Sequence, residues 1–461
     1  MPPTTATALS NLMTGRAVAA DHRDWDAARQ AFNTLLDQRP EAVVLPANEN
    51  DVVAVVRFAR ERGLRIAPQA TAHNAGPLGD QRGSLLVQVS QLGEVSIDPG
   101  ARRVRVGAGV KWERVGPRLS ELGLAGLHGS SPDVGIAGYS LGGGMGWLAR
   151  SHGLQTNSVT AFELVTADGH LVRTDPVHEP DLFWALRGGG GNFGVVTAIE
   201  FAVYPLEELY AGAMFFPMDQ ASDVLHAWRE LLPSLPDELM TWANLFRFPD
   251  DPGVPEPFRG GSYAIVMAAF QGDEADGREL LRPVRELGPA IDTLAMGPPA
   301  ILAELAMDPP DPLPFVLGHQ LIEVPSAAAI DGLVEVAGAD SGAALTMVQL
   351  RHMGGALARE APGAGARATL PGDVCFVGLG VVHDEQPAAA VEASLEAVEG
   401  ALIRHRAGFY PNFVEEPADA SAFYDAKTWA RLREVKALYD PDDLFRGNHH
   451  VPPAAREEVA A

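Results

Sequence analysis

The chain has almost no cysteine. Its 461 residues contain one, Cys375, so no internal disulfide can form and no cysteine-based metal site is expected. The thiol lies in the apolar run 374–382, which predicts a buried strand. We therefore expect Cys375 to be a buried structural thiol and not a nucleophile.

Positive charge is also scarce. Lys and Arg total 35 against 60 Asp and Glu, which gives a net charge of −25. Nucleic acids and anionic membranes both require clustered positive charge, so neither is expected as a partner. No apolar run is long enough to span a bilayer, and residues 1–20 lack the pattern of a signal peptide. These observations predict a cytoplasmic protein.

Several common site motifs are missing. No Gly-Lys-Ser/Thr follows a glycine loop, and no loop matches the dinucleotide-binding pattern Gly-x-Gly-x-x-Gly well. Histidines at metal-ligand spacing are absent as well. His449 and His450 are adjacent, so in an extended segment their side chains point to opposite faces. We predict no metal site.

Glycine, by contrast, is abundant, with 48 residues, and it concentrates in two loops at 129–146 and 188–196. A loop containing His73, at 69–76, precedes them. Glycine lets backbone amides approach a ligand closely and tolerates positive φ. Several such loops in one domain indicate a long, phosphate-bearing cofactor that lies across exposed main-chain donors.

Hydrophobic patterning predicts an α+β chain with two kinds of architecture. A strand at 42–46, a helix from Asn48 or Asn50 to Arg62, and a strand at 64–68 open the first part. After about residue 206 the pattern changes to strands interleaved with acidic helices, which favours an antiparallel sheet covered by helices. The predicted strands there are 211–217, 240–248, 262–270, 315–323, 345–350 and 373–382, and the helices are 219–232, 272–287 and 386–406.

The loops and the C-terminal segment together resemble flavoproteins of the vanillyl-alcohol oxidase type, and among them the berberine-bridge-enzyme-like family. Residues 42–205, with loops at 68–79, 129–146 and 188–196, resemble the FAD-binding (PCMH-type) domain of that family. The motifs 410–413 and 439–448 resemble its C-terminal segment, which returns to the flavin. The resemblance implies an FAD-binding domain at 1–205 with its core at 38–205, a substrate domain at 206–405 and a C-terminal segment at 406–461.

The resemblance implies FAD as the cofactor, held by all three loops and by the tail. In that family the histidine of the first loop commonly bonds covalently to the flavin, and His73 occupies this place. Many relatives also attach the flavin through a cysteine of the second loop, where this chain has Ser131, so one covalent bond at most is expected. The cofactor-binding residues implied are Pro68, Gln69, Ala70, Thr71, Ala72, His73, Asn74, Gly76, Ser131, Pro132, Asp133, Val134, Gly135, Gly138, Tyr139, Gly142, Gly143, Gly144, Gly146, Gly194, Val195, Val196 and Asn448.

The catalytic position departs from the family pattern. Relatives carry Tyr-x-Asn-Tyr in the tail, and the second tyrosine acts as a base, whereas this chain reads Tyr410-Pro411-Asn412-Phe413. Phenylalanine cannot take a proton, so the base must be another group. The candidates are Tyr410 in the tail, and Gln349, Arg351 and His352 on or just after the strand 345–350, which is expected to face the flavin.

The implied activity is FAD-dependent oxidation. A hydride would pass from a C–H next to an alcohol or amine of a small organic molecule, sugar-like or a secondary metabolite, to flavin N5. Molecular oxygen would then be reduced to hydrogen peroxide. Two alternatives stay open at this point: a dehydrogenase that uses another acceptor, and a flavin-bearing cyclase without net redox change.

Overall fold

A computed structural model describes residues 4–455 of the chain. Residues 1–3 and 456–461, at the ends of the predicted N-terminal and C-terminal segments, lie outside the described residues. No helix within 4–455 is long and apolar enough to cross a membrane. The fold combines helices with four sheets, and its large sheet lies in the second half of the chain.

Two sheets form the N-terminal part. A four-stranded sheet has the spatial order Arg16–Val18, Ala42–Leu45, Ser84–Gln88 and Arg65–Gln69, and its last three strands run parallel. An antiparallel five-stranded sheet has the order Val95–Asp98, Arg103–Gly107, Val195–Ala202, Val159–Val165 and Leu171–Thr174. The short strands Leu124–Ala125 and Tyr204–Pro205 pair separately.

The helices of this part are mostly short. The longest, Glu49–Arg62, begins at Asn48, whose side chain caps Asp51 N–H, and ends at Gly63 with φ 64°. Its valines pack into the core between the two sheets. The other helices are Thr5–Ser10, Trp25–Arg29, Gly116–Ser120, Ile136–Gly142, Ala149–His152, Gln155–Ser158 and Pro180–Leu186.

The large sheet has nine antiparallel strands, as the alternation of strands and acidic helices predicted. Helices cover one face of it, and their apolar sides form a second core with the inward residues of the strands. The strands in spatial order are Ile291–Asp292, Leu209–Pro217, Ser262–Phe270, Leu239–Arg247, Met347–His352, Val374–Val381, Phe315–Ile322 and Arg406–Gly408, and Ala295–Gly297 pairs with the second of these. The helices are Ala221–Leu231, Glu274–Leu280, Arg282–Arg285, Ala327–Ala337 and Ala388–Leu402.

One predicted helix is interrupted by proline. The segment 272–287 forms two helices. Pro283 lies in the first turn of the second helix and has no N–H with which to continue the hydrogen bonds of the first. A predicted strand also shifts, because the segment 345–350 begins later and runs from Met347 to His352. That shift places all three catalytic candidates of this segment on the strand itself.

The C-terminal segment returns to the N-terminal part. A short 3-10 turn, Pro411–Phe413, lies against the helix Ile136–Gly142. The helix Ala426–Tyr439 then packs on Pro180–Leu186. Beyond it, Ile66 N–H donates to the Leu444 carbonyl and Arg446 N–H donates to the Ile66 carbonyl, so the tail adds a bridge beside the parallel strands.

Candidate active site

A cavity of about 380 Å³ lies where the three loops, the tail and the uncovered face of the large sheet meet. Its size is within the range of ordinary small-molecule sites. Sixteen of the predicted cofactor residues line it: Pro68, Gln69, Ala70, Thr71, Ala72, His73, Asn74, Ser131, Val134, Gly135, Gly138, Tyr139, Gly142, Gly194, Val196 and Asn448.

The remaining predicted cofactor residues do not line this cavity. They are Gly76, Pro132, Asp133, Gly143, Gly144, Gly146 and Val195. Gly143 has φ 139° and lies so close to the tail that a Cβ would stand 3.1 Å from the Tyr410 ring. Gly144 donates its N–H to the Tyr410 hydroxyl at 2.6 Å. These two glycines therefore let the tail pack against the second loop.

His73 is held on several sides. Its ring stacks on Phe32 at 4.0 Å between centroids, and Nδ1 lies 3.1 Å from the hydroxyl of Thr71. Nε2 lies 3.1 Å from a carboxylate oxygen of Asp133, without the alignment of a hydrogen bond. Ala72, directly before His73, has φ 60°, a conformation that costs about 1 kcal/mol or more for a residue with a Cβ.

Asp133 lies beside Nε2 of His73 and lines a second cavity, to which His73 and Thr71 also contribute. Burial raises the pKa of its carboxyl, but His73, a hydrogen bond from the Ser131 hydroxyl and the more distant Lys111 outweigh burial and hold the pKa below its usual value. Asp133 is therefore ionised at neutral pH, with its negative charge beside the imidazole of His73.

The tail is fastened to the first loop by amide side chains. Asn74 Nδ2 donates to the carbonyls of Pro411 at 3.0 Å and Val414 at 3.2 Å. Asn448 donates in turn to the carbonyl of Asn74. The predicted residue Asn448 thus contacts both the cavity and the loop that carries His73.

Two residues that the sequence analysis missed fasten the third loop. Asn192 Nδ2 donates to the carbonyls of Gly189 and His449, at 2.8 and 2.9 Å. Lys436 is fully buried; its Nζ donates to the carbonyl of Asn192 at 2.7 Å and to Asp440 at 2.6 Å. The sequence signal for this ion pair was the spacing of four residues between a lysine and an aspartate at the end of a helix.

The strand Met347–His352 divides the catalytic candidates between its two faces. Arg351 lines the cavity, and its Nε donates to Oε1 of Gln349 on the same face. Alternation along the strand turns His352 to the opposite face, where Arg150 lies 3.0 Å from its Nε2. Burial and then Arg150 lower the pKa of His352 to about 3. The structure therefore does not bring His352 or the Gln349 side chain to the cavity.

Tyr410 and Phe413 line the cavity from the tail. Burial raises the pKa of the Tyr410 hydroxyl well above its ordinary value, which disfavours a phenolate. The backbone N–H of Tyr410 donates to Nε2 of His319 at 2.8 Å, and His319 Nδ1 lies 2.7 Å from the carbonyl of Phe376. Burial lowers the pKa of His319 to about 4, so this neutral histidine ties the tail to the large sheet.

Unpaired polar groups in the cavity wall indicate a polar ligand. Glu415, two residues after Phe413, has an oxygen without a hydrogen-bond partner among residues 4–455, and burial raises its pKa to about 8. His449 Nδ1 lies in the same wall and is unpaired as well. Open space remains where a Cβ of Gly138 would stand. An extended cofactor that carries many polar groups, such as FAD, fits these features.

The geometry does not support a serine or a cysteine nucleophile. Residues 138–142 read Gly-x-Ser-x-Gly, but the Ser140 hydroxyl is fully buried and donates to the carbonyl of Ile136 in its own helix at 2.7 Å. Burial raises the pKa of Cys375 to about 12, which agrees with a structural thiol. Within 4–455, no cluster of three or more His, Cys, Asp or Glu side chains is arranged to hold a metal.

Comparison with known proteins finds two family models that match parts of the chain. Residues 40–175 match the family model described as FAD binding domain, and residues 410–452 match the one described as Berberine and berberine like. The chain therefore carries an FAD-binding domain and a berberine-like C-terminal segment, and its homologues are FAD-linked oxidoreductases of the vanillyl-alcohol-oxidase type and the berberine-bridge-enzyme-like family. It is an FAD-linked oxidoreductase.

Relatives of this oxidoreductase cover nearly its whole length. It is 27% identical to (R)-6-hydroxynicotine oxidase of Paenarthrobacter nicotinovorans, over 95% of this chain and 97% of that protein. Its fold matches the crystal structure of 6-hydroxy-D-nicotine oxidase from Arthrobacter nicotinovorans with a TM-score of 0.84, 24% identity and coverage of 97% and 100%. Glucooligosaccharide oxidase of Acremonium strictum, whose structure reveals a novel flavinylation, matches with a TM-score of 0.81, 22% identity and coverage of 98% and 100%.

Proposed function

We propose that this FAD-linked oxidoreductase is an oxidase of a small organic alcohol or amine. The observation that carries the proposal is that the cavity has two different walls. The glycine loops and the tail form one wall, and the uncovered face of the large sheet forms the other. Bound FAD would accept the hydride of the substrate and return the electrons to oxygen. The oxidase names of the relatives support oxygen as the acceptor.

The chain's own residues would position the reactants. The loops at 68–79, 129–146 and 188–196 offer backbone donors to the cofactor, and the sheet face offers an apolar chamber with Arg351 in it. We place the FAD-binding unit at 1–205, the substrate unit at 206–405 and the returning segment at 406–461. The substrate chamber lies in the part of the chain where the family models do not match.

The oxidation is tested with the purified yellow protein. Anaerobic addition of cyclic amines and oligosaccharides, followed by absorbance, is expected to bleach the flavin with at least one compound. In air, the same compound is expected to yield hydrogen peroxide. Bleaching without peroxide identifies a dehydrogenase, and turnover without any bleaching identifies a cyclase and contradicts both redox functions.

We further propose that His73 forms the only covalent bond to FAD. His73 lines the main cavity, with Nδ1 beside the Thr71 hydroxyl and Nε2 beside Asp133, which does not line that cavity. Asp133 beside Nε2 would stabilise the positive charge that an attacking imidazole acquires. The Ser131 hydroxyl donates to Asp133, but the lowered pKa of that carboxyl makes it a weak base, so Ser131 would stay a poor nucleophile and add no second bond. After denaturation in acid or SDS, the yellow chromophore is expected to stay on the polypeptide; its release contradicts the covalent bond.

Arg351 and Tyr410 are the catalytic candidates that we retain for this reaction. Both line the cavity, whereas Gln349 acts by holding Nε of Arg351. A buried guanidinium that lines the cavity can orient a reactant, and Tyr410 can orient the second loop through Gly144. We assign His352 a structural part, because its ring contacts Arg150 on the far side of the strand.

A further inference from the structure

Arg351 stands out among the buried arginines because its charge has no partner. The residue is 4% exposed, and its guanidinium lies 4.0 Å from the ring centroid of Trp242 and 5.0 Å from that of Phe413. Its Nε donates to Gln349. The two terminal nitrogens make no hydrogen bond or ion pair with any residue of 4–455. They are therefore the part of the side chain that is free to meet a ligand.

Other buried arginines use their donors on the protein backbone. Arg150 donates to the carbonyls of Leu239 at 2.8 Å and Leu235 at 3.1 Å, and Arg187 donates to that of Gly363 at 2.7 Å. These contacts fix loops, which is the ordinary structural use of a buried guanidinium. Within residues 4–455, Arg351 makes no such bond to a carbonyl, and its terminal nitrogens are left without a protein acceptor.

The surroundings of Arg351 raise the cost of leaving it unpaired. The chamber wall beside it is apolar and consists of Phe246, Phe315, Leu317, Met347, Val377 and Leu379. Two carboxyl groups, Asp308 and Glu415, also line the cavity, but neither forms an ion pair with Arg351 in the described part of the chain. An uncompensated buried charge costs several kcal/mol. A ligand that brings an anion to the terminal nitrogens would recover this energy.

We propose that Arg351 anchors a carboxylate of the substrate. A planar guanidinium with two free nitrogens on one edge matches a carboxylate, which can accept two parallel hydrogen bonds. Trp242 and Phe413 hold the plane of the guanidinium, and Trp242 is itself stacked on Trp147 at 3.5 Å. The apolar wall selects the rest of the molecule. The substrate is thus an apolar or aromatic alcohol or amine that carries a carboxylate, and this assignment rests on the proposed function.

Binding of unreactive probes tests the proposal without turnover. The flavin-loaded protein is titrated with benzoate and with its neutral analogue benzamide, and the flavin absorbance reports binding. Benzoate is expected to bind at least about tenfold more tightly, which corresponds to about 1.4 kcal/mol. The preference is expected to vanish in Arg351→Gln and to survive in part in Arg351→Lys. Arg359→Gln, at an arginine paired with Asp237 on the surface, is the control that leaves both constants unchanged.

The outcomes separate this inference from the oxidase proposal. Equal affinities for benzoate and benzamide, no binding of either, or a preference that persists in Arg351→Gln would each overturn the carboxylate anchor. None of these results depends on bleaching or peroxide, so the oxidase proposal stands or fails on its own experiment. Flavin content and thermal midpoint of each variant verify folding. If Arg351→Gln does not fold, the Arg351→Lys variant decides. A reduced preference for benzoate in Arg351→Lys supports the carboxylate anchor, and an unchanged preference overturns it.

Discussion

At the scale of single residues, the site depends on charges placed beside His73 and Arg351. His73 has a carboxylate next to it, Asp133, whose negative charge is kept by contacts that outweigh burial. Arg351 has no carboxylate within ion-pair distance in the described residues. The first arrangement suits a ring that acquires positive charge, and the second suits a ligand that brings negative charge.

Asp133→Asn is expected to slow the covalent attachment of FAD by roughly tenfold or more. Tenfold corresponds to about 1.4 kcal/mol, and charge-assisted contacts are typically worth at least that much. Apoprotein is incubated with FAD, and flavin fluorescence of the denatured polypeptide is followed over time. The matched control is Asp168→Asn, since Asp168 contacts His170 at 2.8 Å on the surface. Equal rates in Asp133→Asn and wild type would show that the carboxylate has no part in attachment.

Glu415→Gln is expected to stabilise the cofactor-free protein at pH 8. Burial raises the folded-state pKa of Glu415 to about 8. The contribution of the neutral carboxyl to stability is therefore complete below the unfolded-state pKa near 4.5 and declines as the pH rises to about 8. Near pH 8, ionisation of the buried Glu415 carboxyl lowers the free energy of unfolding by at most several kcal/mol. Thermal midpoints are compared at pH 5 and pH 8 in a His73→Ala background freed of FAD. A gain in thermal midpoint that is equal at pH 5 and pH 8, or absent at pH 8, contradicts the raised pKa of Glu415.

At the scale of elements, the third loop and the C-terminal helix form one unit. Lys436 and Asp440 lie one turn apart and are both fully buried, and Asp440 also accepts N–H bonds from Leu444 at 2.8 Å and Phe445 at 2.9 Å. The ion pair thus fixes the turn that follows the helix, while its lysine holds the loop through Asn192. Loss of Lys436 would leave the charge of Asp440 buried without a cation, whereas Lys436 also lies 3.4 Å from a carboxylate oxygen of Asp443.

Lys436→Met is expected to destabilise the protein by about 3–5 kcal/mol, the usual cost of breaking a buried pair from one side. The measurement is the thermal midpoint followed by circular dichroism, which should fall by several degrees. Lys427→Met provides the control, because Lys427 is exposed on the same helix. Similar midpoints for both variants would mean that the buried pair contributes nothing beyond its apolar volume.

Local patterns in the sequence predicted the elements better than the contacts between them. Apolar alternation and caps gave the helix Glu49–Arg62 and most strands of the large sheet, since these depend on neighbours in sequence. The strand that carries Arg351 begins and ends two residues later than the sequence predicted. The alternation of its side chains turns Arg351, and not His352, to the cavity. Asn192, Lys436 and Glu415 were missed because their importance arises from residues far away in the chain.

At the scale of the whole molecule, the cavity joins segments that are distant in sequence. The first loop, the second loop, the large sheet and the tail all contribute to its lining. Asn74 bonds to Pro411 across 337 positions, and Tyr410 bonds to Gly144 across 266. A cofactor in this cavity contacts every part at once, so its binding energy should stabilise all of them together.

FAD is therefore expected to raise the unfolding temperature of the entire protein as one transition. The His73→Ala variant makes this measurable, because the loops can still bind FAD while the covalent bond is absent. Free FAD at 100 times its dissociation constant adds about 2.7 kcal/mol to the stability of a protein that binds it only when folded. Scanning calorimetry at increasing FAD should show a single endotherm that moves upward. Two endotherms, of which one ignores FAD, would mean that the large sheet and its helices unfold independently of the cofactor site.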